Sequence, residues 1–306
     1  MILRQPHKII SFSIILMLIG GLVSPLRFAV NKIAVEGGLS PIAFAFWPIF
    51  FSGLLLLIIS IISGQKIRLK LSYIRAYFII GGLILAGPMA VLTYLADKLP
   101  QGIISLTVGF APVLTYFFAI LLKLDQVKVI CVAGLIIGLG GILLITIPDM
   151  SLPERGMVWW LLVALFAPVG LGLGNVLTSI MRPPSVPLTV LAAGMMLSAA
   201  IILLFIMIFT GQFYYFHGAT LDAILNVIYA TLLCSLFYLL FLEIIRLSGP
   251  VFFSQMNYLS VAAGFGWGMI LFDEKYSPYV WGGASFMAIS VVLLSLGAQK
   301  KTETGG

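Results

Sequence analysis

Three charged residues inside long apolar runs are the first that could do chemistry. Arg27 lies in the first run, and Glu243 and Arg246 lie three residues apart at the end of a later one. Charge is costly in a bilayer, so such residues mark ion or solute pathways. For Arg27 two interpretations stay open: its guanidinium extends to the outer interface, or it faces a central cavity and attracts a carboxylate. Glu243 and Arg246 share one helix face, either as an interfacial ion pair or as a cytoplasmic gate.

Amide side chains at mid-span depth form a second group, which consists of Asn175, Gln255 and Asn257. Each of them alone suits a hydrogen bond to a neighbouring helix at least as well as it suits a ligand. Together, and beside the indoles of Trp47 and Trp267, they predict a site for an amphipathic small molecule.

The residues that enzymes and metal sites use are scarce. Both histidines, His7 and His217, lie outside the apolar runs, and both cysteines, Cys131 and Cys234, lack a partner at metal-ligand spacing. The glycine clusters lack the GK[ST] ending of a phosphate loop and suit close helix packing instead. The sequence therefore predicts no catalytic residue, no metal, no cofactor and no nucleotide.

All these residues belong to a chain that water does not dissolve. Of its 306 residues 61% are hydrophobic and 9% are charged, and the mean hydropathy of +1.18 excludes a soluble enzyme. The net charge of +7 comes from short clusters between apolar runs, which indicates membrane topology and not nucleic-acid binding. A bilayer span needs roughly 20 apolar residues. Ten runs are predicted as spans, at residues 9–30, 40–63, 73–95, 101–122, 127–147, 157–180, 187–209, 221–245, 250–271 and 279–296.

The distribution of Lys and Arg predicts the orientation, because these residues accumulate in short cytoplasmic loops. With the N-terminus inside, twelve cations fall on the cytoplasmic side and four on the other. Both termini are therefore predicted to be cytoplasmic. Pro25, Leu26 and Arg27 stand where a leader would be cleaved, so the first run is interpreted as an uncleaved span.

An internal repeat is visible in the order of the spans. Residues 101–145 resemble residues 250–294, and Asp125 aligns with Glu274 at an offset of 149. Each segment contains an apolar span, an acidic turn and a glycine-bearing span. The two acids are predicted to satisfy free amide groups at a helix terminus.

Two copies of five spans, assigned to residues 1–148 and 149–306, must insert in opposite directions because five is odd. Inverted repeats are the usual construction of alternating-access carriers, whose site lies beside interrupted helices in corresponding positions. The first span of each half is predicted to be interrupted, by Gly20, Gly21 and Pro25 in one half and by Pro168, Gly170, Gly172 and Gly174 in the other.

Two motifs resemble those of a known family. In the first motif Ala111-Pro112 is followed by Asp125, thirteen residues after the proline. In the second, Leu271 to Ser277 form an acidic segment at the end of the predicted ninth span, which leads to Gly282-Gly283. With ten spans and a repeat, the chain resembles the drug/metabolite transporter superfamily, in its ten-helix branch of EamA-type exporters. Departures from the family pattern are Val261 in place of a proline and Trp47 in place of an arginine.

The resemblance implies an all-α integral membrane protein of ten transmembrane helices in two inverted five-helix repeats. It implies export of amino acids, other small metabolites or drugs across the bacterial inner membrane. It also places further residues on the cavity-forming spans, so that substrate binding is predicted for Arg27, Trp47, Tyr94, Thr107, Asn175, Tyr238, Gln255, Asn257 and Tyr258.

Coupling and alternatives stay open. No acid lies at mid-span depth, which favours a facilitator or exchanger and leaves proton antiport only to peripheral acids such as Asp97 and Glu243. A sodium-coupled ten-helix organic-anion carrier, a polytopic membrane enzyme and a channel are the other classes. Because one chain contains both repeats, either a monomer or a homodimer fits, with a small-molecule substrate and the lipid bilayer as partners.

Overall fold

Helices form the whole framework of the protein. The computed structural model describes residues 6–67, 69–124, 126–146, 156–183, 185–213 and 220–303, and no strand occurs in these ranges. Lipid offers no partner to backbone amides, so a chain this apolar pairs them within helices. The helices are α1 (Pro6–Glu36), α2 (Pro41–Ile62), α3 (Leu71–Gly81), a π-helical turn (Gly82–Ala86), α4 (Gly87–Tyr94), α5 (Gln101–Val108), α6 (Ala111–Leu121), α7 (Val129–Thr146), α8 (Met157–Ala164), α9 (Phe166–Met181), α10 (Leu188–Thr210), α11 (Leu221–Phe272) and α12 (Pro278–Glu303).

Seven segments of the described chain are long and apolar enough to cross a membrane. They are Phe12–Glu36, Pro41–Ile62, Leu71–Tyr94, Gln101–Leu121, Met157–Met181, Leu188–Thr210 and Leu221–Leu247, with shorter apolar helices at Val129–Gly141 and Leu259–Phe272. The all-helical, multi-pass architecture is thereby confirmed. The predicted count of ten is not reached. The predicted fifth and ninth spans correspond only to the shorter apolar helices, and the predicted tenth span, which falls in α12, is not among the seven. The predicted eighth and ninth spans share one helix.

Helix α11 reverses direction within its length. The rings of Phe241 and Phe253 lie 4.7 Å apart, whereas twelve residues of straight helix would separate them by about 18 Å. The chain therefore turns back between these two residues. We call the two arms α11a (residues 221–247) and α11b (residues 250–272).

The helix pairings are the same from the viewpoint of either half of the chain. Helix α2 packs on α10, and α7 packs on α12. The packing of α1 on α11 corresponds to that of α9 on α4 and α6, and the packing of α2 on α11 corresponds to that of α10 on α3. Exchanging the first five predicted spans with the last five leaves these pairings unchanged. Two copies of one five-helix unit would produce this pattern.

Residues with a left-handed backbone conformation follow equivalent helices in the two halves of the chain. Among non-glycine residues of the described chain, only Lys123 (φ 58°) and Asp273 (φ 50°) have positive φ, and they follow α6 and α11. Gly64 and Gly211, with φ of 66° and 65°, follow α2 and α10. The left-handed conformation ends a helix with a sharp turn. Equivalent helices thus end in the same way, close to the predicted offset.

The connectors gather at two ends of the bundle. At one end Lys32, near the end of α1, contacts Glu274 before α12. At the same end Ser40 before α2 donates a hydrogen bond to the Gln212 carbonyl after α10 at 3.1 Å. At the other end the Tyr73 and Ser185 hydroxyls are 3.4 Å apart. We call these the Glu274 end and the Arg246 end. Alternate spans running in opposite directions require this arrangement.

Glycines let α2, α3 and α10 approach one another closely. An added Cβ at Gly81 would overlap the Met195 carbonyl oxygen, and one at Gly53 would lie 2.9 Å from Leu197 Cδ2. At Gly266, by contrast, nothing lies within 4 Å. Small residues give transmembrane helices their contact area, since lipid supplies no hydrophobic drive between them.

We expect Gly81→Ala to lower the free energy of unfolding by roughly 1 to 3 kcal/mol, because the methyl group meets backbone and not a flexible side chain. Gly266→Ala is the matched control, and it should leave stability unchanged or raise it by up to about 1 kcal/mol through helix propensity. Thermal unfolding of both variants in detergent measures the effect. Equal melting temperatures would show that α3 and α10 do not pack as described.

Candidate functional site

A small cavity lies in the middle of the bundle, between helices from both halves of the chain. Its volume is about 50 Å³, which holds a few water molecules and is far below the roughly 300 to 1,000 Å³ of ligand pockets. The cavity in this structure is therefore too small for a ligand of metabolite size. The lining residues are Ser24, Arg27, Phe28, Ile84, Pro88, Met89, Leu92, Val108, Ala111, Leu171, Asn175, Phe237, Tyr238, Phe241 and Phe253.

Interrupted helices position this lining. The π-helical turn Gly82–Ala86 separates α3 from α4, and Gly109 and Phe110 separate α5 from α6. Proline follows each interruption, as Pro88 and Pro112, and a proline removes one helical hydrogen bond and clashes with the preceding turn. Such breaks are tolerated at membrane depth where the backbone faces protein or a cavity.

The predicted interruption of the first span is not found. Helix α1 continues through Pro25, and Gly20 and Gly21 serve close packing: an added Cβ at Gly21 would lie 2.6 Å from Leu259 Cδ2. In the second half the break falls between α8 and α9, at Leu165. Glycine clusters therefore mark helix contacts in α1, and the interruptions occur beside prolines elsewhere.

Arg27 lies in the cavity with 3% of its surface exposed. Its Nη2 donates to the Met89 sulfur at 3.4 Å, and its guanidinium carbon lies 4.5 Å from the Phe237 ring centre and 5.0 Å from that of Tyr238. Its Nε is buried without a hydrogen-bond partner. Within the described ranges no carboxylate forms an ion pair with it. Of the two interpretations, the structure places the guanidinium in the cavity and not at the interface.

Asn175 and Tyr238 are the other predicted residues that the structure brings to Arg27. The Asn175 amide donates to the Thr115 hydroxyl at 3.3 Å. The Tyr238 hydroxyl donates to the Ile84 carbonyl at 3.4 Å. That carbonyl belongs to the π-helical turn before Pro88. Tyr238 thus joins α11a to the interrupted helix.

Three predicted residues lie away from the cavity lining. Trp47 stacks on Phe51 within the aromatic cluster of α2, with ring centres 5.5 Å apart. Tyr94 is 38% exposed at the end of α4 and contacts the Trp160 ring. The Thr107 hydroxyl is buried and donates to the Ile104 carbonyl at 2.8 Å, within its own helix.

Three further predicted residues, Gln255, Asn257 and Tyr258, lie on α11b, but their side chains fall outside the described part of the chain. Their contribution stays a prediction.

Phenylalanines in the aromatic walls are the part of the site that sequence reasoning missed. Phe237 and Phe241 lie beside the predicted Tyr238 on one face of α11a, and Phe253 faces them from α11b. Their signal was helical spacing, at i, i+1 and i+4. That signal is weak here because nearly every neighbour is also apolar.

A network around Glu274 closes one end of the bundle. The Glu274 carboxylate forms an ion pair with Lys32 and accepts a hydrogen bond from the Tyr276 hydroxyl. It also accepts hydrogen bonds from the backbone N–H groups of Gln101, at 2.7 Å, and Gly102, at 3.3 Å. Glu274 was predicted to accept hydrogen bonds from free backbone amides at a helix terminus, and it does so. The helix is α5, however, and not α12, which follows Glu274 in the sequence. Asp125, its predicted counterpart, lies outside the described residues.

The Tyr276 hydroxyl stays protonated in this network. Burial, and then the hydrogen bond to Glu274 and its charge, raise the pKa of Tyr276 well above its ordinary value. Its proton therefore remains available to the carboxylate throughout the physiological range. The network joins α1, α5 and the connector before α12.

At the opposite end Glu243 and Arg246 form the predicted ion pair, with Arg246 Nε donating to Glu243 Oε2 at 2.8 Å. The guanidinium of Arg182, which follows α9, interacts electrostatically with both charges. Burial, and then repulsion by Arg246, lower the pKa of Arg182. Both residues of the pair lie on α11a, and their role as a gate stays a prediction.

We expect Glu243→Gln combined with Arg246→Gln to change the free energy of unfolding by less than about 1 kcal/mol, because the pair is partly exposed. If the pair is a gate, the double variant alters the transport rate and its pH dependence while stability holds. The matched control is Lys98→Gln, which removes a similarly exposed pair with Asp97 at 2.8 Å. An unchanged rate and pH profile would contradict the gating role.

Fold and cavity together define a class: a polytopic helical membrane protein with an occluded cavity between its two halves. Residues 11–147 match the family described as "EamA-like transporter family", a family of the drug/metabolite transporter superfamily. The resemblance is thereby confirmed over this segment. It indicates a membrane transporter of the drug/metabolite transporter type.

Solved structures share the fold. One, described only as "Crystal structure of protein", superposes with a TM-score of 0.64 over 93% of this chain and 98% of that chain, at 15% identity. At that identity the likeness concerns the fold alone. No curated protein matches.

Proposed function

We propose that this protein is a secondary transporter that exports small metabolites, such as amino acids, related amphipathic solutes or drugs, across the bacterial inner membrane. The observation that carries the proposal is the central cavity, which is lined from both halves of the chain and contains one buried cation. The match to a transporter family supports it. No catalytic or metal chemistry is needed for such a role.

The proposed mechanism is alternating access. Residues 1–148 and 149–306 act as inverted five-helix repeats, with both termini cytoplasmic and the Arg246 end inside. Helix pairings that survive exchange of the halves support this division. The Glu274 network and the Glu243–Arg246 pair then close opposite ends, and transport opens one of them at a time.

The proposed energetics are those of a facilitator or exchanger. Proton-driven carriers use an acid in the membrane interior, and no acid is among the described residues that line this cavity. The substrate gradient itself then drives transport. Sodium dependence of the measured flux would instead favour the organic-anion carrier class.

Mass spectrometry of medium and cytosol tests the proposal directly. Bacteria expressing the protein are compared with an empty-vector strain after loading with amino acids, their keto acids, nucleosides and cationic dyes. We expect one chemical class to accumulate outside and to be depleted inside. No difference between the strains, or accumulation of a solute inside, would contradict export.

A further inference from the structure

The cavity carries a positive charge that no described residue of its lining balances. Of these lining residues, Arg27 is ionised and none is acidic. The sequence contains ten acidic residues, Glu36, Asp97, Asp125, Asp149, Glu154, Asp222, Glu243, Asp273, Glu274 and Glu303. Those in the described part of the chain lie near the ends of helices or in connectors, and none of them forms an ion pair with Arg27. No described acid therefore balances the guanidinium.

The hydrogen-bonding capacity of Arg27 is also only partly used. A guanidinium has five N–H donors. One reaches the Met89 sulfur, which is a weak acceptor, and the other side-chain acceptors beside the guanidinium are the Tyr238 oxygen and the Cys234 sulfur. Nε has none, although 97% of the residue is buried. Burying a charged donor without an acceptor costs several kcal/mol. The rings of Phe237 and Tyr238 offset part of that cost through cation–π contact.

The remaining lining sets the rest of the ligand. Most of it is apolar or aromatic, and the polar exceptions besides Arg27 are Ser24, Asn175 and Tyr238. The Asn175 amide already donates to Thr115, and Tyr238 already donates to Ile84. An ammonium group would thus find no carboxylate here. A second anionic group would find no second cation.

We propose that the substrate is a monovalent organic anion, a carboxylate on an apolar or aromatic body, and that Arg27 binds its carboxylate. This inference rests on the proposed transport function and narrows its substrate class, disfavouring zwitterions and cations. Arginine suits the role because its planar fork binds both carboxylate oxygens at once. The closed cavity is too small for such a ligand, so binding requires the open conformation.

Three compounds with one skeleton separate the alternatives: phenylpyruvate is a monoanion, phenylalanine a zwitterion and phenethylamine a cation. The full-length protein is tested by thermal stabilisation in detergent and by flux into liposomes, against protein-free liposomes. We expect phenylpyruvate to bind at least about tenfold more tightly than phenylalanine, and phenethylamine not to bind. Arg27→Gln should abolish this preference, and Arg27→Lys should retain part of it.

The outcomes distinguish the two proposals. Equal or better transport of phenylalanine or phenethylamine overturns the anion proposal and leaves export standing. An undiminished preference for phenylpyruvate in Arg27→Gln overturns the role of Arg27. If none of the three binds, and no solute of the cellular panel moves, both the anion proposal and the transport function fail. Comparison of the three compounds on the unmodified protein needs no variant to fold.

Discussion

Replacing Glu274 by glutamine is expected to lower the free energy of unfolding by about 3 kcal/mol, because it breaks a buried ion pair and leaves one charge unpartnered. Lys32 and Glu274 have side chains only 11% and 9% exposed. The same carboxylate accepts the amides of Gln101 and Gly102, which begin α5 and have no helical acceptor. A glutamine keeps one acceptor oxygen but places an N–H₂ where those donors point.

The matched control is Glu36→Gln, since Glu36 also approaches Lys32, at 4.0 Å, but is 48% exposed. Its effect should stay below about 0.5 kcal/mol, as for exposed pairs. The double variant Lys32→Met with Glu274→Gln should recover part of the loss, because no unpaired charge remains. Thermal unfolding in detergent of the unmodified protein, Glu36→Gln, Glu274→Gln, Lys32→Met and the double variant measures the control and the full cycle. Equal losses for Glu36→Gln and Glu274→Gln would contradict the network.

The network also has a functional consequence under alternating access. Loss of Glu274 should open its end of the bundle more often, since α1, α5 and the last connector are then no longer joined. Cys234 reports this opening, because it is 2% exposed and lies on α11a one turn from Tyr238. In a Cys131→Ser background, Glu274→Gln should speed maleimide labelling of Cys234. An unchanged labelling rate would show that this end opens independently of the network.

The contacts of Glu274 also show where sequence reasoning stops. Apolar runs place most of the helices, because hydropathy decides which segments enter a bilayer, but prolines do not mark every helix end, since α1 continues through Pro25. Partners 173 residues apart, such as Glu274 and Gln101, depend on how the two halves dock. Local spacing predicted that the acid would meet helix-terminal amides. It could not predict which helix would present them.

The depth of a residue in the membrane and the rotation of a helix about its own axis also could not be predicted from the sequence. Counting from residue 9 places Arg27 near an interface, but α1 spans 31 residues, or about 46 Å, which exceeds the roughly 30 Å hydrocarbon core. A position within so long a helix does not fix depth. Trp47 lies on α2, which is apolar on every side, so no periodicity reveals that this helix lies away from the cavity lining. In such helices only docking assigns the lining.

Replacing Arg27 by methionine is expected to raise the free energy of unfolding by about 1 to 3 kcal/mol while abolishing discrimination between anions and zwitterions. Exchanging an uncompensated buried charge for an apolar group of similar length is stabilising in general. Methionine can also keep contact with Phe237 and Tyr238, through sulfur–aromatic packing. A buried charge that destabilises the protein without its ligand is expected to contribute to binding once the ligand is present.

Lys98→Met is the matched control, because Lys98 also rests on an aromatic ring, that of Tyr94 at 4.4 Å, but lies at the surface beside Asp97. Its melting temperature in detergent should change little, by the equivalent of about 0.5 kcal/mol or less. A large loss of stability in Arg27→Met would mean that the cation–π contacts of Arg27 hold α1 against α11a. Arg27 would then be a structural residue, and the anion would have to bind elsewhere. A gain of stability together with lost discrimination assigns the unpaired guanidinium to the substrate.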